Sequence, residues 1–261
     1  MCIAALAINQ HPDYPFICLA NRDEFHNRPT APMQWWPDGQ TLAGIDLQAK
    51  GTWMGIHESG RFALLTNVRN PQLESRAEAP SRGSLVSDFL QKGELPAAEK
   101  RKEMAGYNLI SGHLGQNTFS FHTNQFEKSG DVDTARMVNL TDGIYCLSNG
   151  TLNSPWPKCL RLGHSLQNAL QDIVNPDQDY FFKLLADESL ANDAELPSTG
   201  VPYEWEKMLS AIKIISPVYG TRSTTVLKVR KDLTINMEEK TFHADGSLAS
   251  KESFKHTLAR G

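Results

Sequence analysis

Short apolar runs broken by turn formers open the chain, CIAALAIN at 2–9 and PFICLAN at 15–21, with QHPDY between them. Runs of this length bounded by Pro, Asp and Asn read as two strands joined by a hairpin loop. TLAGIDL (41–47) continues the strand pattern, and TWMGIHE (52–58) with RFALLTNV (61–68) reads as a hairpin around Ser59-Gly60. The period then lengthens. Ser81 to Gln91, with Leu85, Phe89 and Leu90 on one side, and Ala97 to Ala105 predict two helices. Strands return at YNLISGHL (107–114), NTFSFHT (117–123) and GIYCLSN (143–149), followed by helices over Trp156 to Ile173, Asp179 to Asp187 and Tyr203 to Ile212. STTVLKVRKDLTINMEEKTF (223–242) reads as a hairpin around Lys231-Asp232, and SKESFKHTL (250–258) as an edge strand.

Blocks of antiparallel strands alternating with helix pairs predict two sheets packed face to face with helices outside, because each sheet must cover both of its faces. The fold class is therefore α+β, a four-layer α-β-β-α sandwich with mostly antiparallel sheets. A one-sheet α+β domain remains the alternative that periodicity alone leaves open. The Pro/Ser/Gly-rich stretch Leu196 to Pro202 is short enough to be a loop, so residues 1–261 read as a single domain.

Composition removes several classes of function. With 40% hydrophobic residues, 261 positions suffice for one sizeable core. A net charge of -4, with no basic stripe, excludes a nucleic-acid partner. The first residues lack a basic n-region, and no apolar run has the length of a membrane span, so a soluble cytoplasmic protein without an integral membrane segment is expected. The four Cys residues show neither CxxC nor Cys/His spacing, and the eight His residues lack metal-site patterns. Reduced thiols and no structural metal are the expectation.

Cys2 changes the picture. Removal of Met1 would leave a residue carrying both a thiol and a free α-amine, whose reference pKa of about 7.7–8 suits a general base near neutrality. A hairpin turning near Pro12 puts about residue 22 opposite Cys2, within a slip of one or two, and that residue is Arg22 in Asn21-Arg22-Asp23-Glu24. A guanidinium beside a thiol favours the thiolate, and a carboxylate beside an amine orients it. Read without any relative, the same residues also fit a buried Cys at a strand start and an ion pair at a sheet end.

Several blocks now match one pattern: MC at the start, ANRDEFHNRP (20–29), GTWMGI (51–56), LLTNVRNP (64–71), SRGSLV (81–86), YNLI (107–110), YCLSNGTLNSPWPK (145–158) and YGTRSTT (219–225). In this order they resemble the NRDE-motif family, the transport-and-Golgi-organisation proteins, along nearly the whole chain. The resemblance extends to the N-terminal nucleophile (Ntn) hydrolases of the penicillin V acylase and bile salt hydrolase group, in which a mature N-terminal Cys is followed by an Arg and an Asp on the next strand. It implies an Ntn-hydrolase-like fold with Cys2, Arg22 and Asp23 in those places, although here the Arg and Asp are adjacent in sequence. Asn67 and Asn149 would then offer amides to an oxyanion, and Arg222 would match the late Arg of the acylase site, pairing with Asp23 or holding an acidic substrate.

Two function classes follow. The NRDE family implies intracellular handling and trafficking of a small-molecule ligand, haem or a lipid or acyl compound, with haem as a bound cargo. The hydrolase resemblance implies an N-terminal cysteine amidohydrolase that cleaves a small amide through an acyl-enzyme and requires no cofactor.

Overall fold

The computed structural model describes residues 2–69, 80–124, 136–172 and 177–259. It contains two antiparallel sheets. One has the order β10-β1-β2-β11-β12-β13, formed by Gly143–Leu147, Cys2–Ile8, Phe16–Phe25, Tyr219–Val229, Thr234–Phe242 and Leu248–Thr257. The other is a meander in chain order, β3 (Thr30–Trp35), β4 (Thr41–Asp46), β5 (Met54–His57), β6 (Arg61–Asn67), β7 (Tyr107–His113), β8 (Thr118–Thr123) and β9 (Arg136–Leu140). Every strand pairing is antiparallel.

Alternation along β1 and β2 explains why both strands read as nearly continuous apolar runs. Ala4, Leu6, Ile8, Phe16, Cys18 and Ala20 face the second sheet, where they meet Leu42, Ile56, Phe62 and Ile110. Ile3, Ala5, Ala7, Ile17 and Leu19 face the other way, onto α3 (Pro157–Asp172) and α4 (Gln178–Leu185). A strand covered on both faces has no polar side to show. Phe16 lies at the centre, stacked on Phe119 with ring centroids 4.3 Å apart and edge-on to Phe62 at 5.2 Å. On the far side of the second sheet, α1 (Gly83–Lys92) packs Leu85, Val86 and Leu90 against Ala63, Leu65 and Leu109. The layers therefore run helix, sheet, sheet, helix. This is the four-layer sandwich, and the one-sheet alternative is excluded.

The remaining helices, α2 (Ala98–Lys102) and α5 (Tyr203–Met208), are shorter than the sequence spacing suggests, and the last residue expected for α3, Ile173, lies outside the described residues. No helix among the described residues is long and apolar enough to cross a membrane. Two strands were not legible in the pattern. β3 carries Pro32 and a register shift between Ala31 and Gln34, and β9 exposes Met137 and Val138. Both are sheet edges, where Pro is tolerated and in/out alternation is weak.

The irregularity in β3 has a partner. Met33 N–H, next to the shifted register, donates to Glu239 Oε1 of β12 at 2.6 Å, so a carboxylate from one sheet is bonded to the edge strand of the other. Burial pushes the Glu239 carboxyl up to about 7 from an ordinary 4.5. A carboxyl raised on folding binds its proton more tightly in the native state, so native stability falls as pH rises from about 4.5 to about 7. Relative to wild type, Glu239→Gln should therefore gain stability between pH 5 and pH 8, on the order of 3 kcal/mol at most, in urea unfolding at the two pH values. A difference that stays constant with pH would show that Glu239 titrates normally.

Candidate active site

Cys2 is the first residue of β1 and pairs directly with Arg22 of β2. Side chains opposite one another in an antiparallel pair share a face, so thiol and guanidinium both point between the two sheets. They line a cleft of ≈ 330 Å³ with Asp23, Glu24, Arg28, Asp46, Trp53, Leu65, Asn67 and Arg82. The floor comes from the first sheet. The walls come from the β4–β5 connection, the end of β6 and the first turn of α1. Gly51 and Gly83 let two of these walls meet, since a Cβ on Gly51 would stand 2.7 Å from the Gly83 carbonyl carbon.

Arg22 is 5% exposed and held on several sides. Nη1 donates to Thr30 Oγ1 at 3.2 Å, and Nη2 stands 3.6 Å from Asp46 Oδ2 and 3.9 Å from Glu24 Oε2. Its guanidinium lies 4.3 Å from the centroid of Trp53. Arg28 completes the ionic set with Nε donating to Asp46 Oδ2 at 2.7 Å. The Cys2 thiol nonetheless has its pKa raised: burial is the largest cause and the Asp23 carboxylate adds to it, while the terminal ammonium, then Arg22 and the Asp23 backbone N–H, act in the opposite direction. Arg22 thus has the sign expected of a thiol activator, but desolvation outweighs it.

Asp23, one residue on, faces the other side of the strand. Its Oδ1 accepts a hydrogen bond from Thr221 Oγ1 at 2.7 Å, and Thr221 is its β11 partner. Burial raises the Asp23 carboxyl, while Lys158 at the start of α3 lowers it. Asn21 also faces this side and holds the helix layer, donating from Nδ2 to the carbonyls of Leu185 and Ile212 at 2.9 Å each. The adjacency of Arg22 and Asp23 therefore does not set them side by side. It sends the Arg22 guanidinium toward Thr30 and Asp46 and the Asp23 carboxyl toward Thr221, while both residues still line the cleft with Cys2.

The two asparagines meet. Asn149 is buried, and its Nδ2 donates to the Asn67 carbonyl at 2.8 Å, while its own carbonyl accepts from Arg69 N–H at 2.7 Å. Thr66 Oγ1 donates to the Ser148 carbonyl at 2.6 Å, and Ser148 Oγ donates to the Cys2 carbonyl at 2.9 Å. Asn67 lines the cleft with Cys2; Asn149 stands behind it and joins the ends of β6 and β10. Arg222 lies outside the cleft lining. It occupies the bulge of β11 between Thr221 and Ser223, and its Nη1 donates to the carbonyls of Phe25, His26 and Arg28 at 3.1, 3.1 and 3.2 Å. It braces the loop that carries Arg28 and does not contact Asp23.

Sequence reasoning missed Glu24, Arg28, Asp46, Trp53 and Arg82 as cleft residues, although all but Asp46 fall within the family-like blocks. It also missed a polar cluster behind Asp23. Arg69 Nη1 donates to Glu206 Oε2 at 2.6 Å with both side chains buried, and the guanidinium lies 4.8 Å from the Trp156 ring centroid. Nothing in local spacing links residues 69, 158 and 206.

The rate of Cys2 alkylation should follow the thiolate fraction. Its midpoint is expected above that of an ordinary thiol and higher still in Arg22→Ala, because a cation that stabilises the thiolate is removed. Iodoacetamide labelling of Cys2 followed by mass spectrometry across pH 6–10 measures this, and identical profiles would show that Arg22 does not act on the thiol.

Comparisons with known proteins match most of the chain. Curated relatives include the Transport and Golgi organization protein 2 homologs of Bos taurus, 30% identical over 92% of each chain, and Homo sapiens, 29% identical over 92% of each. A Saccharomyces cerevisiae protein, YGR127W, is 25% identical over 90% of this chain and 89% of its own. Similar solved structures include the Caenorhabditis elegans N-acylethanolamine-hydrolyzing acid amidase ortholog, with TM-score 0.47, 10% identity and coverage of 87% and 92% of the two chains. Another is the C2A mutant of the conjugated bile acid hydrolase from Clostridium perfringens, with TM-score 0.47, 12% identity and coverage of 100% and 99%. Neither structural likeness bears on what this chain binds or cleaves. The family model for Transport and Golgi organisation 2 matches residues 1–244, and the chain belongs to that family.

Proposed function

We propose that the cleft is the site of an N-terminal cysteine hydrolase acting on a small amide. The observation that carries this reading is the direct pairing of Cys2 with Arg22 on the floor of a cleft of ≈ 330 Å³. A chain beginning at Cys2 brings nucleophile and base together. The α-amine takes the thiol proton, and sulfur attacks the carbonyl carbon as the oxyanion forms. Collapse expels the amine leaving group, which takes the proton back from the ammonium; water then cleaves the thioester and releases the acid. Asn67, at the cleft wall, supplies a side-chain amide that would meet the oxyanion in this reading. Arg82 and the first turn of α1 favour a substrate with an anionic or strongly polar end. Asn149 and Arg222 support the site by bracing Asn67 and the Arg28 loop.

Protein from its native host should begin at Cys2, and incubation with fluorogenic N-acyl amides should release the amine and give a transient acyl adduct on Cys2. Cys2→Ala should retain the fold and lose the activity by at least a thousandfold, on the order seen when a catalytic nucleophile is removed. Terminal sequencing that finds only Met1 would sink the mechanism.

A second reading has one feature in its favour, that burial raises the pKa of the Cys2 thiol. In this reading the cleft carries haem or an acyl compound without turnover, with Trp53 and Leu65 as apolar contacts and Arg22, Arg28 and Arg82 as anchors for acidic groups. Haem titration should then give a saturable Soret shift that weakens in an Arg22→Ala/Arg82→Ala variant. A shift indifferent to those changes would remove the cleft as the haem site.

A further inference from the structure

α1 packs on β4 to β7, and the outer face of β8 and β9 lies beyond it. The sequence of β8 suits a strand with one open face: Thr118, Ser120 and His122 alternate with Phe119 and Phe121, which enter the core between the sheets. The register sets Ser120 beside Ser111 of β7 and Asn139 of β9, and His122 beside Met137. Ser120 Oγ donates to Asn139 Oδ1 at 2.9 Å, and Ser111 Oγ stands 3.1 Å from His122 Nε2. These side chains line a trough of ≈ 800 Å³, together with Phe89, Leu95 and Arg101 from the helix side. Among the described residues the trough and the Cys2 cleft share none. The cleft takes the first turn of α1 and the trough its last, so the length of this helix, about 15 Å, separates them.

A polar sheet face open to water is ordinary, but the charge of this one is not. Arg61 and Arg101 line the trough and no carboxylate does among the described residues, in a chain whose net charge is -4. Arg61 is already committed: its Nε and Nη2 donate to the carbonyls of Leu90 and Gln91 at 2.6 and 3.2 Å and close the end of α1. Arg101 is not. Its Nε is buried and makes no hydrogen bond among the described residues. Nor does His122 add charge, because burial first and Arg101 second lower its pKa to about 4. A guanidinium held in this way stays under-bonded until an anion joins it.

We propose that the trough is a second ligand site that takes a small aromatic anion, with its acidic group on Arg101, its ring against Phe89 and Met137, and polar substituents toward Ser111, Ser120 and Asn139. The apolar side follows from Phe89, Leu95 and Met137, the last of them an exposed thioether on the sheet face, and thioethers and aromatic rings attract one another. The polar floor sets the class of ligand. A plain alkyl chain laid over Ser111, Ser120 and Asn139 would strip their water and return no hydrogen bond, whereas a ring bearing a hydroxyl or amide returns one. This site does not depend on the hydrolase reading, and either can fail without the other.

The test titrates the full chain with 4-hydroxycinnamate, reading affinity by calorimetry and position by NMR of protein labelled with 13C at the methionine methyls. Binding should saturate with a midpoint below about 1 mM and should move the Met137 methyl signal, which is assigned by its loss in Met137→Leu. Arg101→Gln should weaken binding at least about tenfold, the loss of one charge-assisted contact. Met137→Glu, a change at an exposed position that the fold should tolerate, sets a carboxylate at the rim and should weaken it as well. Cys2→Ala should bind as wild type does. Absence of saturation overturns the proposal, as does saturation with a stationary Met137 methyl or an affinity unchanged in either folded variant. Loss of binding in Cys2→Ala would put the anion in the cleft and overturn it too, and decanoate binding more tightly than 4-hydroxycinnamate would overturn the assignment of an aromatic ligand.

Discussion

One antiparallel register, Cys2 against Arg22, governs the placement of the four polar residues that follow Ala20. Asn21 and Asp23 face the helix layer; Arg22 and Glu24 face the cleft. Four consecutive polar side chains can be built into a strand buried on both faces only if each face supplies partners, and each does. Asn21 is satisfied by two helix-layer carbonyls and by Thr224 Oγ1, which donates to its Oδ1 at 2.6 Å, while Arg22 meets Thr30, Asp46 and the Trp53 ring. A slip of one residue would drive the guanidinium into the helix layer and set the carboxylate against the thiol. Both errors leave charge buried without compensation, which makes the register steep.

Local energetics in the cleft follow from how Arg22 is shared. A guanidinium committed to one thiol would shift it strongly, but this one is divided among two carboxylates, a hydroxyl and an indole face. Its field at Cys2 is therefore weakened, and burial, the largest influence there, raises the thiol pKa. The division also fixes the side chain, because a planar fork held at several points loses its freedom once. Geometry is secured at some cost to thiol activation. A nucleophile in this setting depends on a base that acts at the moment of attack.

Much of this was legible in the sequence because it depends on period and turn length. The hairpin loop fixed the opposite number of Cys2, and two-sided burial wrote β1 and β2 as unbroken apolar runs. Edge strands were not legible: β3, with Pro32, and β9, with exposed Met137, lack the alternation that reveals a strand. For the site, residue type and strand end were visible but the destination of each side chain was not. Asn149 and Arg222 both end their hydrogen bonds on main-chain carbonyls, of Asn67 and of the Phe25–Arg28 loop. A carbonyl acceptor leaves no mark in the sequence, since every residue has one. The Arg69–Glu206 pair and Lys158 were invisible for a related reason, being joined only by the packing of α3 and α5 behind the first sheet.

The division of the site between two sheets makes the Ser148–Gly150 segment more than a connection. Cys2 belongs to the first sheet and Asn67 to the second, and no ladder joins them. The tie is a row of side-chain bonds: Thr66 to the Ser148 carbonyl, Asn149 to the Asn67 carbonyl, Asn108 Nδ2 to the Gly150 carbonyl at 2.7 Å, and Ser148 to Cys2 itself. Hydrophobic contact between the sheets is non-directional and would tolerate sliding; these bonds are directional and short, and they lock the register of one sheet against the other at the cleft. An oxyanion donor is useful only when it stands within a few tenths of an ångström of its place. Asn149 therefore acts on the cleft through the main chain of Asn67, holding the end of β6 against the segment that follows β10.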